Sequence, residues 1–251
     1  MKHLNEYILE KLKINSKTEV NTIKPKDKKE LRKIIEERLE KDKNVNLNDI
    51  DVSDIEDMSE LFLKLDPHNI DISDWDVSKV KSMRYMFGHC YKFNSDLSRW
   101  NVSNVKNMEF MFCSNYKFNS DLSSWDVSNL EEAANMFNGC ISFNSDLSGW
   151  NVSNLSGAIG MFSLCKSFKS NLSKWDVSNV RSMAAMFDGC DNFNCNLSKW
   201  NVSNVYDMSE MFSKCKKFNS DLSKWDVSNV KNMYKMFDGC RTKKIPSWYK
   251  Q

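Results

Sequence analysis

The residues with the most chemistry to offer are eight cysteines, three histidines and a recurring acidic position, and their spacing decides what they can do. Cys90, Cys140, Cys165, Cys190, Cys215 and Cys240 fall in one register, each just after a Met-Phe pair, and Asn115 takes the one vacant place in the series. Zinc would call for C-x-x-C or Cys/His pairs at ligand spacing, and none occurs; disulfides are the other alternative. Thiols at equivalent places in successive units are instead expected to stack as a buried column of small apolar groups. Cys113 and Cys195 lie off that column and are expected to be the exposed thiols. His3, His68 and His89 share no repeating position, and the chain has no phosphate-binding loop, dinucleotide-binding glycine pattern or G-x-S-x-G nucleophile motif. The reading is therefore a protein without catalytic residues, metal ligands or cofactors.

What positions these residues is a repeat. Trp75, Trp100, Trp125, Trp150, Trp175, Trp200 and Trp225 recur at one constant interval without insertion or deletion. A unit as short as that interval cannot bury its own apolar face and depends on its neighbours to do so. The residue after each tryptophan alternates strictly: Asp76, Asn101, Asp126, Asn151, Asp176, Asn201, Asp226. Carboxylates stacked about 4.8 Å apart would repel by roughly 3 kcal/mol per pair at an effective dielectric constant of about 20. Alternation doubles their spacing, and each Asn amide is expected to donate to a neighbouring Asp. Tryptophans and Asp/Asn residues together are read as a structural ladder, because paired catalytic acids or a calcium site would need oxygens converging on one point.

Within a unit two periods alternate. FNSDLSKW sets Phe218, Ser220 and Leu222 against Asn219, Asp221 and Ser223, the period of a short strand with one buried face. VSNVKNMYKMF then places Val230, Met233, Met236 and Phe237 at helical spacing, with Ser228 or Asn229 to cap the turn. Strand, corner and helical turn within a single short unit predict an α/β, leucine-rich-repeat-like solenoid with a parallel β-sheet and short helical turns; a parallel β-helix is the alternative. Leu47, Ile50, Val52, Ile55, Met58, Leu61 and Phe62 match the first tryptophan-bearing unit from one period upstream, making eight units over residues 46–242. Residues 1–45 read as a helical N-terminal cap. Leu4, Tyr7, Ile8 and Leu12 share one face of a first short helix, and a second starts at an Asp27/Glu30 capping pair with Leu31, Ile34, Ile35 and Leu39 as its stripe. Residues 243–251 read as a C-terminal cap, since Trp248 comes too early for the tryptophan series. In the middle of the array Gly157 and Gly160 are expected to weaken the helical turn.

The unit WDVSNVxNMxxMFxxCxxFNxDLSxW closely resembles the short repeat of bacterial surface proteins, the mycoplasma-type lipoprotein repeat related to BspA-like leucine-rich repeats. The resemblance covers residues 46–240 and implies a solenoid that binds other macromolecules and has no catalytic site.

Formal net charge is only +2, and the repeat body is near neutral, which argues against general binding to a phosphate backbone. Function is then sought where units differ. Arg99, Lys174, Lys199 and Lys224 share the position before tryptophan, with Ser124 and Gly149 interrupting, and form a basic column for an acidic surface; nucleic acid would enter only there or within a ribonucleoprotein. Tyr85, Phe110, Tyr206 and Tyr234 sit on the helical side as candidate interface anchors. The expected function is a non-enzymatic, monomeric, protein-binding solenoid, an intracellular adaptor or inhibitor of a protein or ribonucleoprotein complex, in its sharpest form a mobile-element counter-defence factor. A surface adhesin or lipoprotein-type binding protein is the alternative. Charges at Lys2, Glu6, Glu10, Lys11 and Lys13 interrupt any secretory apolar core, and no stretch has the length of a membrane span, so a cytoplasmic location is expected.

Overall fold

The computed structural model describes residues 22–250; the first short helix expected near the N-terminus lies outside them. From residue 46 onward successive repeat units stack as parallel rungs. Single parallel bridges join Asp57, Ser82, Asn107, Glu132, Gly157, Ser182, Asp207 and Asn232 in one column, one residue per rung.

The Met-x-x-Met-Phe side, expected as a helical turn, follows a different backbone. Leu61, Leu63 and Leu65 N–H groups donate within their rung to the carbonyls of Met58, Glu60 and Phe62. The N–H groups of Met58, Glu60, Phe62 and Lys64 between them donate to the next rung at Ser82, Arg84, Met86 and Gly88. An α-helix would spend all these donors internally; overlapping turns spend every second one on the neighbour and so satisfy the backbone while fastening rungs together. The conformation requires positive φ once per turn. Glu60, Tyr85, Phe110, Asn135, Gly160, Ala185, Glu210 and Lys235 form one such column, with φ between 52° and 64°. Left-handed backbone costs an ordinary residue roughly 1–2 kcal/mol, so Gly160, at φ 60°, is the least strained member of its column and no weak point in a helix.

The FNSDLSxW side alternates buried and exposed residues, as at Phe218, Asn219, Ser220, Asp221 and Leu222. Here most rungs are joined by side chains. The Asn119, Asn144 and Lys169 N–H groups donate to Oδ1 of Asn94, Asn119 and Asn144. Leu97, Leu122 and Leu147 N–H groups donate to the hydroxyls of Ser120, Ser145 and Ser170. The Phe93, Phe118, Phe143, Phe168, Phe193 and Phe218 rings repeat at 5.9–6.1 Å, wider than the roughly 4.8 Å of a backbone ladder, and the short polar side chains bridge the difference.

Between the two sides the core is a set of stacks. Phe62 to Phe237 form a second phenylalanine column with centroids 5.1–5.8 Å apart. Each tryptophan from Trp75 to Trp225 donates its indole N–H, at 2.9–3.0 Å, to a carbonyl 28 residues earlier, which fixes the ring against the rung below. Trp248 takes the next place in this column despite its early position, stacking on Trp225 at 6.5 Å and donating to the Leu222 carbonyl.

At the other end helix α1 (Lys28–Leu39) begins with the Asp27 side chain accepting from the Glu30 N–H and buries Leu31, Ile35 and Leu39. Its Arg32 reaches the carbonyls of Glu60, Leu61 and Leu63, and Arg38 pairs with both Asp49 oxygens at 2.6 and 2.7 Å. Among the described residues no helix is long and apolar enough to cross a membrane.

Candidate functional site

Residues expected to carry the ladder act within their own rungs. Asp76, Asp126, Asp176 and Asp226 accept from the N–H groups of Ser78, Ser128, Ser178 and Ser228, and the serine hydroxyl and N–H hold each carboxyl below its usual range. Asn101, Asn151 and Asn201 make the same two-residue bond. Each is an Asx turn that starts a corner. Among the described residues no hydrogen bond joins neighbouring members, so the expected amide-to-carboxylate ladder is replaced by local capping. The amide ladder exists four residues after the tryptophan. Asn104, Asn129, Asn154, Asn179, Asn204 and Asn229 donate at 2.6–2.8 Å to serine carbonyls 26 residues earlier.

The thiols form a hydrogen-bonded column. Cys90, Cys140, Cys165, Cys190 and Cys215 are fully buried and donate at 2.9–3.1 Å to phenylalanine carbonyls of the preceding rung. Burial pushes the Cys90 thiol up to about 12 and the other four well above their ordinary value. Cys240, on the last rung, is only partly buried. Cys195, expected to be exposed, is 6% exposed, because it replaces the bridging serine and takes the Leu172 N–H at 3.2 Å; Cys113 is half-buried. Among the described residues no group of three or more His, Cys, Asp and Glu could share a metal ion.

Asn115 fills the thiol position with an amide. Its Nδ2 donates to the Phe87 carbonyl at 2.7 Å, but its buried Oδ1 has no partner. A buried acceptor left unpaired costs about 1–3 kcal/mol. Asn115→Cys should therefore raise the unfolding free energy by about 2 kcal/mol. Urea titration measures this, and an unchanged or lowered midpoint would count against it.

The candidate contact residues separate into three groups. Arg99 is exposed and already paired within the chain, with Asp74 at 2.5 Å and Ser73 at 3.1 Å. Tyr85 and Phe110 are half-buried and stacked on each other at 4.4 Å, with the Arg84 guanidinium over Tyr85. Lys174, Lys199 and Lys224 are exposed, as are Tyr206 and Tyr234 at 50% and 62%. The three lysines line adjoining grooves on the FNSDLSxW side, where Lys169 and Lys244 join them. Sequence reasoning missed those two, and it missed the longest run of exposed apolar residues at one position. Tyr91, Tyr116 and Ile141 occupy the same place in three consecutive rungs, 43%, 45% and 39% exposed, the two tyrosine rings stacked at 5.3 Å. The identical neighbours in CYKFNSDLS and NYKFNSDLS are the signal that could have found them.

A family described as "Mycoplasma protein of unknown function, DUF285" matches the chain three times in overlapping segments, residues 29–150, 101–187 and 159–249. No curated protein matches it. The overlapping matches follow the stacked units and extend over helix α1, and by them the chain belongs to this family of mycoplasma repeat proteins.

Proposed function

We propose that this repeat protein is a non-enzymatic, leucine-rich-repeat-like solenoid, related to BspA-like repeats, that acts by binding a partner protein inside the cell as an adaptor or inhibitor. The observation that carries the reading is the Tyr91, Tyr116 and Ile141 column. Much of the scaffold repeats residues that specify stacking; here two exposed tyrosines stacked on each other and followed by an exposed isoleucine share one position, and tyrosine supplies large amphipathic contact area at little entropic cost. The intracellular part rests on cysteine usage, eight cysteines of which none is paired in a disulfide, which suits a reducing compartment.

Replacing Tyr91 and Tyr116 together by serine tests it. Proteins co-purified from cells with the wild-type and variant chains are quantified by mass spectrometry, with thermal unfolding as the control for folding. A partner whose recovery falls at least about tenfold in the variant is the expected result. Recovery of the same proteins in equal amounts from both chains would overturn the assignment of this column.

A further inference from the structure

The FNSDLSxW side changes its charge along the array. In the units holding Phe93, Phe118 and Phe143 its exposed acidic position is Asp96, Asp121 and Asp146; in the next two it becomes Asn171 and Asn196. Lysine enters over the same stretch, at Lys169, Lys174, Lys199 and Lys224, and Lys244 closes the row from beyond the last unit. Several surface cations elsewhere are answered from the neighbouring rung, as in Lys79 with Asp54, Lys81 with Glu56, Lys106 with Glu131 and Lys216 with Asp191. Among the described residues no ion pair engages any of the five groove lysines, and Asp221 is the single carboxylate lining the grooves. The amides there are turned to donate as well. Asn171, Asn194 and Asn196 spend Oδ1 on the scaffold, accepting from the N–H groups of Ser173, Asn219 and Ser198, and no hydrogen bond among the described residues uses their Nδ2.

A surface of cations and amide donors is complementary to a ligand made of acceptors only, and an ionised carboxylate is one. Spacing narrows the choice. The rungs repeat at 5.9–6.1 Å along this side. Residues i and i+2 of an extended chain lie about 6.6 Å apart on one face. Single-stranded nucleic acid would want aromatic platforms for its bases, and the phenylalanines of this side are buried beneath the polar row.

We infer that the groove spanning Lys169, Lys174, Lys199 and Lys224 receives an extended acidic segment of the partner protein, with carboxylates on alternate residues meeting lysines on successive rungs. The inference rests on the protein-binding reading above and names the chemistry of the partner.

Fluorescence anisotropy with labelled oligoglutamate and oligothymidylate tests it on the full chain. Oligoglutamate should bind at low salt, and Lys174→Gln, Lys199→Gln and Lys224→Gln combined should weaken it at least about tenfold. Restoring the acidic column with Asn171→Asp and Asn196→Asp should weaken it comparably without removing a lysine. Lys81→Gln with Lys106→Gln, a loss of charge elsewhere, should leave it unchanged. Oligoglutamate binding that ignores the groove variants would overturn the inference; so would tighter, groove-dependent binding of oligothymidylate, which would assign the groove to nucleic acid. The titration needs no cellular partner, so it can fail while the tyrosine experiment succeeds, and the reverse.

Discussion

Above about pH 9 the folded protein is expected to lose stability steeply, because five buried thiols stay protonated in the native state while their unfolded counterparts ionise near pH 8.5. The thiols are Cys90, Cys140, Cys165, Cys190 and Cys215, all raised by burial. Their sign is that of an acid kept neutral by the fold. Below pH 8.5 both states hold the proton and the stabilisation is complete; between the unfolded and folded values the native state holds more protons, and stability falls as pH rises. Each thiol contributes a slope of about 1.4 kcal/mol per pH unit, so five give roughly 7. At pH 10 the accumulated loss is about 10 kcal/mol, comparable to the whole stability of an ordinary domain. Urea titrations from neutral pH to pH 10 measure the slope, and Cys165→Ala should flatten it by about 1.4 kcal/mol per pH unit. Stability that stays level to pH 10 would show that the column thiols ionise in place. The corner carboxylates act at the opposite end of the scale. Asp126 and Asp176, lowered by serine hydroxyl and N–H groups, lose their contribution as pH falls through their depressed values.

Tryptophan spacing made the repeat legible, and the period of two in FNSDLSKW marked which residues point inward, because both follow from burial, to which side-chain type is most sensitive. The backbone of the Met-x-x-Met-Phe side was not legible in the same way. Met233, Met236 and Phe237 fit helical spacing, but overlapping four-residue turns place apolar residues at the same intervals. The distinguishing signal lay in glycine: Gly160 falls in one positive-φ column and Gly139, Gly189 and Gly239 fall in another, four residues on, a regularity that a helix interior would not favour. That difference carried into the candidate site. Helical spacing would turn Tyr85 and Phe110 outward, whereas the turn ribbon lays them on each other. Lys174, Lys199 and Lys224 were legible because they share one column on consecutive units; Lys169 replaces an asparagine and Lys244 arrives after the register breaks, so only folding brings them alongside. The Asp/Asn alternation is visible in the sequence but its hydrogen-bond partner is not, since an Asx side chain finds its own serine N–H two residues on before it can reach another rung.

Replacing Phe137 by alanine is expected to lower the unfolding free energy by about 3–5 kcal/mol. Its ring is fully buried and lies between Phe112 at 5.6 Å and Phe162 at 5.7 Å, with Phe143 of its own rung at 4.1 Å and Trp150 at 6.4 Å. The space cannot close by collapse, because rungs on both sides are fastened by backbone hydrogen bonds on either edge of the ring, from Phe112 N–H to the Met136 carbonyl and from Phe137 N–H to the Met161 carbonyl. Position in the array adds a consequence that the energy alone does not. Where each unit touches only its neighbours, stability is a sum of unit and interface terms, and weakening a central interface lets the two halves unfold separately. Phe137→Ala should therefore split a single denaturant transition into two, the half bearing helix α1 and the half bearing the lysine groove. Phe237→Ala supplies the contrast. That ring is stacked on Phe212 but has no rung beyond it, only the edge of Tyr249, and its loss should shift the whole transition by a smaller amount without dividing it. Tryptophan fluorescence and circular dichroism followed in the same urea titration distinguish the cases, since separated halves make the two probes report different midpoints. Coincident midpoints for Phe137→Ala, or an equal loss at Phe237, would mean that the rungs are coupled over a longer range than their stacking contacts.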